Sequence, residues 1–436
     1  MRRALLSLAA SLLVSGAAVP QDLLPPGVLL LSRVKQHIKQ EVERLPNISC
    51  LETVQREVQP PGGKLRPLDT VRLEVLATGN HEFYASPGER KFSEQHPVRY
   101  IGSGVIGDGF FGLYLKEVLV AGSVSYEYKG EEDVAGRHLA RYDWRLPLMF
   151  SGHIFTLQEG TGTVGMHGSF WADPQTYDVI RLEFHADNIP PTLPLTEAVT
   201  IINYAATGLG ENQVVLLPES GDFRMTRFSG EMDHNRIEFT HCRLFGAQST
   251  ISFGAPDAAA EAPARFATSS NDDTLRPLPA GLQIAVKLAT KISSETLVGS
   301  LIDGVVAGNT VSKGQLVIAN GSRVRGRIRR LERYTDPPPH FVLAIEFTEV
   351  ESEGIRYRFY ADPVEMDASP GVEQTLEQRD PFRMISHTGE VKTVRADIHT
   401  TTLPGLPGVA SFFIRGTKLD LPPGFRTVWR TRTLAP

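Results

Sequence analysis

Ile180-Arg181-Leu182-Glu183-Phe184 places an apolar side chain at every second position and a charged one between. Successive side chains of a strand leave opposite faces, so this run reads as a strand with one buried face and one wet face. Val71-Arg72-Leu73-Glu74-Val75 repeats the pattern, and Ile237-Glu238-Phe239 gives it once more in short form. Turn signals lie between them: Pro61-Gly62-Gly63, Thr78-Gly79-Asn80, Ala172-Asp173-Pro174-Gln175 and Glu219-Ser220-Gly221-Asp222. Alternating strands joined by short turns make antiparallel hairpins the economical topology. Upstream, residues 27–45 space Leu31, Val34, Ile38, Val42 and Leu45 three or four apart among Lys, Gln, Glu and Arg. That is an amphipathic helix, and it needs a sheet to cover. Phe110 to Val120 predicts a second, short helix.

Downstream, residues 255–277 turn to Ala, Pro, Ser, Asn and Asp with almost no large apolar side chains, the composition of a linker. Beyond it the chain is β-rich again. Leu282, Ile284, Val286 and Leu288 alternate, as do Val324, Gly326 and Ile328 among Arg323, Arg325 and Arg327, and Thr335-Asp336-Pro337-Pro338-Pro339 leads into a strand from Phe341 to Val350. Phe412-Phe413-Ile414 and Val428-Trp429 read as a final strand pair. The expected fold is mainly β (α+β), in two parts, 26–254 and 278–436.

The chain has 436 residues, 41% hydrophobic and 22% charged, which excludes collagen-like, disordered and disulfide-framework classes. Met1-Arg2-Arg3, the apolar run Ala4 to Val14 and Ser15-Gly16-Ala17-Ala18 read as a secretory signal peptide, 1–18, cleaved after Ala17 or Ala18. Pro20-Gln21-Asp22 ends the run too early for a transmembrane anchor, which needs about 20 apolar residues. No cysteine follows the cleavage region, so the mature protein is expected to be exported and soluble, periplasmic or secreted, and peripheral to membranes at most. Without 1–18 the formal charge moves from 45 − 50 = −5 to 43 − 50 = −7, which argues against a nucleic-acid partner. An oxidising compartment favours a disulfide between Cys50 and Cys242; two separate buried thiols are the alternative. Closing a loop of 242 − 50 = 192 residues is worth at most about 5 kcal/mol in the chain-entropy model. Asn47-Ile48-Ser49 matches a glycosylation acceptor by form alone.

Motifs that could carry chemistry fail on context. Gly102-Ser103-Gly104-Val105-Ile106-Gly107 and Gly107-Asp108-Gly109-Phe110-Phe111-Gly112 match the dinucleotide fingerprint but lack its parallel strand pair, so they read as a glycine-rich turn entering a helix. His81-Glu82-Phe83-Tyr84-Ala85 begins like a zinc-protease helix and has Ala85 where the second ligand must stand. His234 and His241 fall on opposite strand faces. His241 could activate Cys242, but a structural disulfide fits an exported chain better. No metal, cofactor or catalytic residue is assigned. Arg323, Arg325, Arg327, Arg329, Arg330 and Arg333 form the one dense basic stripe, either a phosphate-binding surface or a wet strand face paired with Glu346, Glu349, Glu351 and Glu353. The second reading is preferred.

The N-terminal helix, Leu45-Pro46-Asn47-Ile48-Ser49-Cys50, Gly168-Ser169-Phe170-Trp171-Ala172-Asp173-Pro174 and the strand Val179 to Phe184 resemble the bacterial outer-membrane lipoprotein carrier (LolA-like) superfamily over residues 26–254. The resemblance implies an antiparallel half-barrel wrapped around helices, with a concave apolar face holding acyl chains. Phe170, Trp171, Ile180, Leu182 and Phe184 are the candidate apolar or docking positions. Leu278-Pro279-Ala280-Gly281 and Ala319-Asn320-Gly321-Ser322-Arg323-Val324-Arg325-Gly326 are similar to the small β-barrel of conjugative-transfer scaffold proteins over about 70 residues, which implies a smaller barrel and an envelope protein partner. The leading expectation is a non-enzymatic protein binding a lipid or lipoprotein, with a C-terminal protein-contact domain. A packed assembly scaffold of the cell envelope is the alternative. A hydrolase built from scattered Asp, Glu and His residues is a third reading, and it needs converging carboxylates.

Overall fold

The computed structural model describes residues 25–79, 81–89, 92, 96–157, 160–210, 213–245, 275–367, 372–375 and 408–433. The expected leader 1–18 lies outside them, as does 255–274 of the expected linker.

Pro26–Arg44 forms helix α1, with Pro26 in the first turn, where a missing N–H costs nothing. Twelve strands follow. They are β1 (Ile48–Gln59), β2 (Arg66–Thr78), β3 (His81–Ala85), β4 (Ser125–Val134), β5 (Arg137–Leu146), β6 (Ile154–Thr156), β7 (Thr161–Thr163), β8 (Gly165–Ala172), β9 (Val179–Asp187), β10 (Leu195–Gly208), β11 (Val214–Arg227) and β12 (Met232–Leu244). Ten of them make one antiparallel sheet in the order β3-β2-β1-β12-β11-β10-β9-β8-β5-β4, curled into a half-barrel, while β6 and β7 stand apart as a hairpin. The runs 71–75 and 237–239 alternate as expected: Val71, Leu73, Val75, Ile237 and Phe239 are buried.

The inner face of this sheet is filled. α1 brings down Val34 and Ile38, both fully buried, and residues 101–121, a strap crossing the concavity, bring Phe110, Phe111, Tyr114, Leu115, Val118 and Leu119. The predicted second helix is one turn, Leu113–Leu115, continued as a wider turn through Lys116–Val120. Gly112 precedes it at φ +116°, a conformation that only glycine adopts without strain. Cys50 and Cys242 form a disulfide between β1 and β12. The register slips there, between Ser49 and Leu51, and His241 takes a positive φ.

The second sheet holds β13 (Arg276–Pro277), β14 (Gln283–Leu288), β16 (Leu301–Val306), β19 (Arg323–Tyr334), β20 (His340–Ser352), β21 (Ile355–Arg358), β22 (Ala361–Met366), β23 (Val372–Thr375), β24 (Val409–Arg415) and β26 (Arg426–Thr431). Short pairs lie outside it: β15 (Ile292–Ser293) with β25 (Asp420–Leu421), and β17 (Thr310–Ser312) with β18 (Gln315–Ile318). Its strand order is β13-β21-β20-β19-β16-β14-β26-β22, with β24 between β20 and β23. The last segments are therefore not a strand pair. β21 occupies only the last four residues of β20, so β24 takes the free edge of its first half, while β26 lies between β14 and β22. The core of this sheet centres on Trp429, fully buried, with Phe347 at 5.2 Å and Phe359 at 5.9 Å in edge-on contact.

Candidate functional site

The two sheets meet along β2 and β19. β3 covers only Glu74–Thr78 of β2, and Val298 bonds to the open part of that edge: Arg72 donates to the Val298 carbonyl and Val298 to that of Thr70. On β19 a bulge at Arg329 changes which side chains face out. Ile328 pairs with Ile345 but Arg330 with Ala344, so Arg330, Glu332 and Tyr334 leave the core face of their own sheet and turn to the first one. The arginine stripe is thus divided. Arg323 pairs with Asp303 and Arg325 with Glu349 on the wet face, as expected, whereas Arg327 reaches the Pro87 and Gly299 carbonyls and Arg330 is buried.

Arg330 donates to Glu332 at 2.6 Å, Tyr334 donates to the same carboxylate, and Glu332 lies 3.8 Å from Arg56 of β1. Arg56 grips Asp69 with both arms of its guanidinium and donates to the Ser103 carbonyl. Burial would raise the Glu332 carboxyl, but Arg330 and Arg56 outweigh it and hold it below the usual range. Buried ion networks of this kind are costly to break on one side, because the partner is left charged and dry.

The glycine-rich turn rests on this cluster, and its continuation, the strap, leads to an open cleft. A cleft of about 680 Å³ lies between the strap, through Asp108, Leu113, Tyr114 and Glu117, and a wall formed by Gly152, His153 and Ile154. Its size falls in the roughly 300–1,000 Å³ range of small-molecule sites. The Gly152 amide donates across it to Glu117. His153 sits among aromatic rings, 5.1 Å from Phe155, 5.6 Å from Tyr114 and 5.9 Å from Phe184. Burial pulls its imidazole down to about 4, against a weaker pull from Asp108, so it is neutral at pH 7. Burial pushes Glu117 up, with the Gly152 amide opposing. The lining mixes exposed apolar side chains, Leu113 and Ile154 (58% exposed), with Asp108, Lys116 and Glu117; outside it, the turn Leu148–Phe150 leaves Met149 80% and Phe150 55% exposed.

Behind the cleft, Glu82 on β3 accepts the Gly109 amide at 2.7 Å, the Phe111 amide at 2.8 Å and the Tyr84 hydroxyl. Glu52 on β1 is fully buried, and among the described residues neither of its oxygens has a hydrogen-bond partner. Burial first, then the charges of Glu82 and Asp108, push it well above the carboxylate range. Among the described residues no group of three His, Cys, Asp or Glu side chains is placed to hold a metal ion.

Of the candidate positions, Phe170, Leu182 and Phe184 come together on the inner face. Phe170 stacks on Tyr142 at 5.1 Å, and Phe184 lies 4.6 Å from Tyr114, backing the cleft. Trp171 is on the other face between Arg141 and Arg181, each 5.4 Å from its ring, and donates to Glu132. Ile180 falls in a bulge, where Val179 takes the inward position opposite Ala172. The cleft itself was not read from the sequence.

No protein-family model matches the chain, and no curated protein matches it. Solved structures do. A DUF1329 family protein from Desulfovibrio piger is 12% identical, covers 51% of this chain and 93% of its own, and has a TM-score of 0.26. A putative outer membrane lipoprotein-sorting protein domain from Vibrio parahaemolyticus is 11% identical over 52% of this chain and 95% of its own, with a TM-score of 0.24. ComB10 of the Com type IV secretion system of Helicobacter pylori is 13% identical over 37% of this chain and 91% of its own, with a TM-score of 0.20. Both resemblances read from the sequence have counterparts among these structures.

Proposed function

We propose that this is an exported, non-catalytic envelope protein that takes an apolar ligand, the acyl chain of a lipid or lipoprotein, in the cleft between the strap and residues 152–154. One observation carries the reading: a cleft of about 680 Å³ that leaves two of its apolar lining side chains, Leu113 and Ile154, in water. Exposed apolar side chains grouped around an opening are the usual mark of a binding surface rather than of a finished core. The second sheet, on this reading, offers its outer strands to an envelope protein.

A second reading is a packed scaffold, favoured by the filled concave face. Phe110, Phe111 and Tyr114 occupy the space where a half-barrel carrier would hold its ligand. The two readings separate in one experiment. The mature protein is purified from an envelope extract, extracted with organic solvent, and its lipid identified by mass spectrometry, beside an Ile154→Glu variant. Stoichiometric lipid that the variant loses is the expected result. No lipid, and no uptake of added fatty acid, leaves the scaffold.

A further inference from the structure

The strap is held at three places. At its start Arg56 donates to the Ser103 carbonyl, the Ser103 hydroxyl lies 3.2 Å from that of Tyr334, and Gly102 presses so closely on the second sheet that a Cβ there would meet Arg330 Nε and, at 2.5 Å, Glu332 Oε1. In the middle the Gly109 and Phe111 amides are bonded to Glu82. At its end Leu113, Tyr114 and Glu117 form one side of the cleft. Only the first hold involves the second sheet, through Arg330, Glu332 and Tyr334, which the bulge at Arg329 turns outward, and Arg56 of the first sheet shares it. Close-packed protein interiors transmit strain instead of absorbing it.

We propose that Arg330 and Glu332 are positioning residues for the cleft: by seating Gly102 and Ser103, the second sheet sets where the strap stands and so how wide the cleft is. The inference rests on the reading of the cleft as a ligand site and adds what controls it. It makes the second sheet a regulator, since a partner bound to its outer strands would act on the cleft through this one contact. A coupling of the ordinary size changes affinity about 5- to 150-fold.

The test uses the full mature chain in four forms: wild type, Glu332→Gln, Gly102→Ala and Arg323→Ala. Glu332→Gln weakens the ionic seat, Gly102→Ala pushes the strap off it without changing any charge, and Arg323→Ala alters the same strand on its wet face. Two readouts are taken: hydrogen exchange of individual amides, and titration with a dansylated undecanoic acid. Faster exchange of the Gly109 and Phe111 amides in the first two variants is expected, with protection unchanged in β5 and β8. The probe's affinity should shift at least about fivefold in both and not in Arg323→Ala. Strap amides that exchange as in wild type overturn the proposal, and so does a loss of protection spread evenly over the chain. Strap amides that respond while the probe binds no form would leave the seating intact and remove the ligand reading instead. Should Glu332→Gln fail to fold, Gly102→Ala alone decides.

Discussion

The two sheets contain equal numbers of strands and solve the same problem differently. The first is a plain meander from β8 to β12, and its inner face is closed by segments that are not strands, α1 and the strap. The second has crossovers and no helix among its described residues, and closes on its own rings around Trp429. A cover brought in from outside can move, whereas a core made of the sheet's own side chains cannot move without unfolding. That difference places the cleft. It lies at the edge of the first sheet's cover, and the second sheet, the rigid partner, supplies the anchor for that cover.

Trp429→Ala is the sharpest way to break this comparison. Removing a fully buried indole costs about 3–5 kcal/mol, and the loss should fall on the second sheet. Denaturant unfolding followed by amide exchange in each sheet separately checks it. Equal loss of protection in β8 to β11 would show the two sheets to be one cooperative unit, and the contrast would fail.

Much of this was legible in period-two alternation. The strands at 71–75, 237–239 and 282–288 follow from side-chain parity, the helix expected at 27–45 from its three- and four-residue spacing, and the Cys50–Cys242 pairing from compartment. At two positions a bulge had shifted the parity. Ile180 gives up its inward place to Val179, and the doublet Arg329-Arg330 was the sign that Arg330 would leave the core face of its own sheet. Glu52 carried its own warning, a carboxylate on the same parity as Cys50 and Val54. The cleft depends on how a strap and a loop approach each other across the fold, and no local pattern encodes that distance.

Glu52→Gln sharpens the comparison from the side of the first sheet, whose cover traps a carboxyl with no partner. Burial raises its pKa above the unfolded value of about 4.3, so the folded state holds the proton more tightly. The sign follows: its contribution is full below the unfolded value and declines as pH rises past it. The glutamine variant should therefore be the more stable of the two at neutral pH, and the gain should shrink toward about pH 4. Urea midpoints of both proteins at several pH values test this. A gain that does not change with pH would mean that Glu52 is ionised throughout.

The smallest effect divides the arginine stripe itself. Arg323 and Arg330 are seven residues apart on one strand, on opposite parities that the bulge at Arg329 brings to one face. Arg323 is more than half exposed and bonded to Asp303, also exposed, so its pair gains little in water and is screened by salt. Arg323→Ala should change stability by no more than about 0.5 kcal/mol, the usual range for surface substitutions. Thermal unfolding of the variant at low and at high salt is the measurement. A loss well above that figure that persists in salt would mean that the wet face of β19 is covered in the folded protein, and the contrast between an exposed Arg323 and an anchoring Arg330 would have to go.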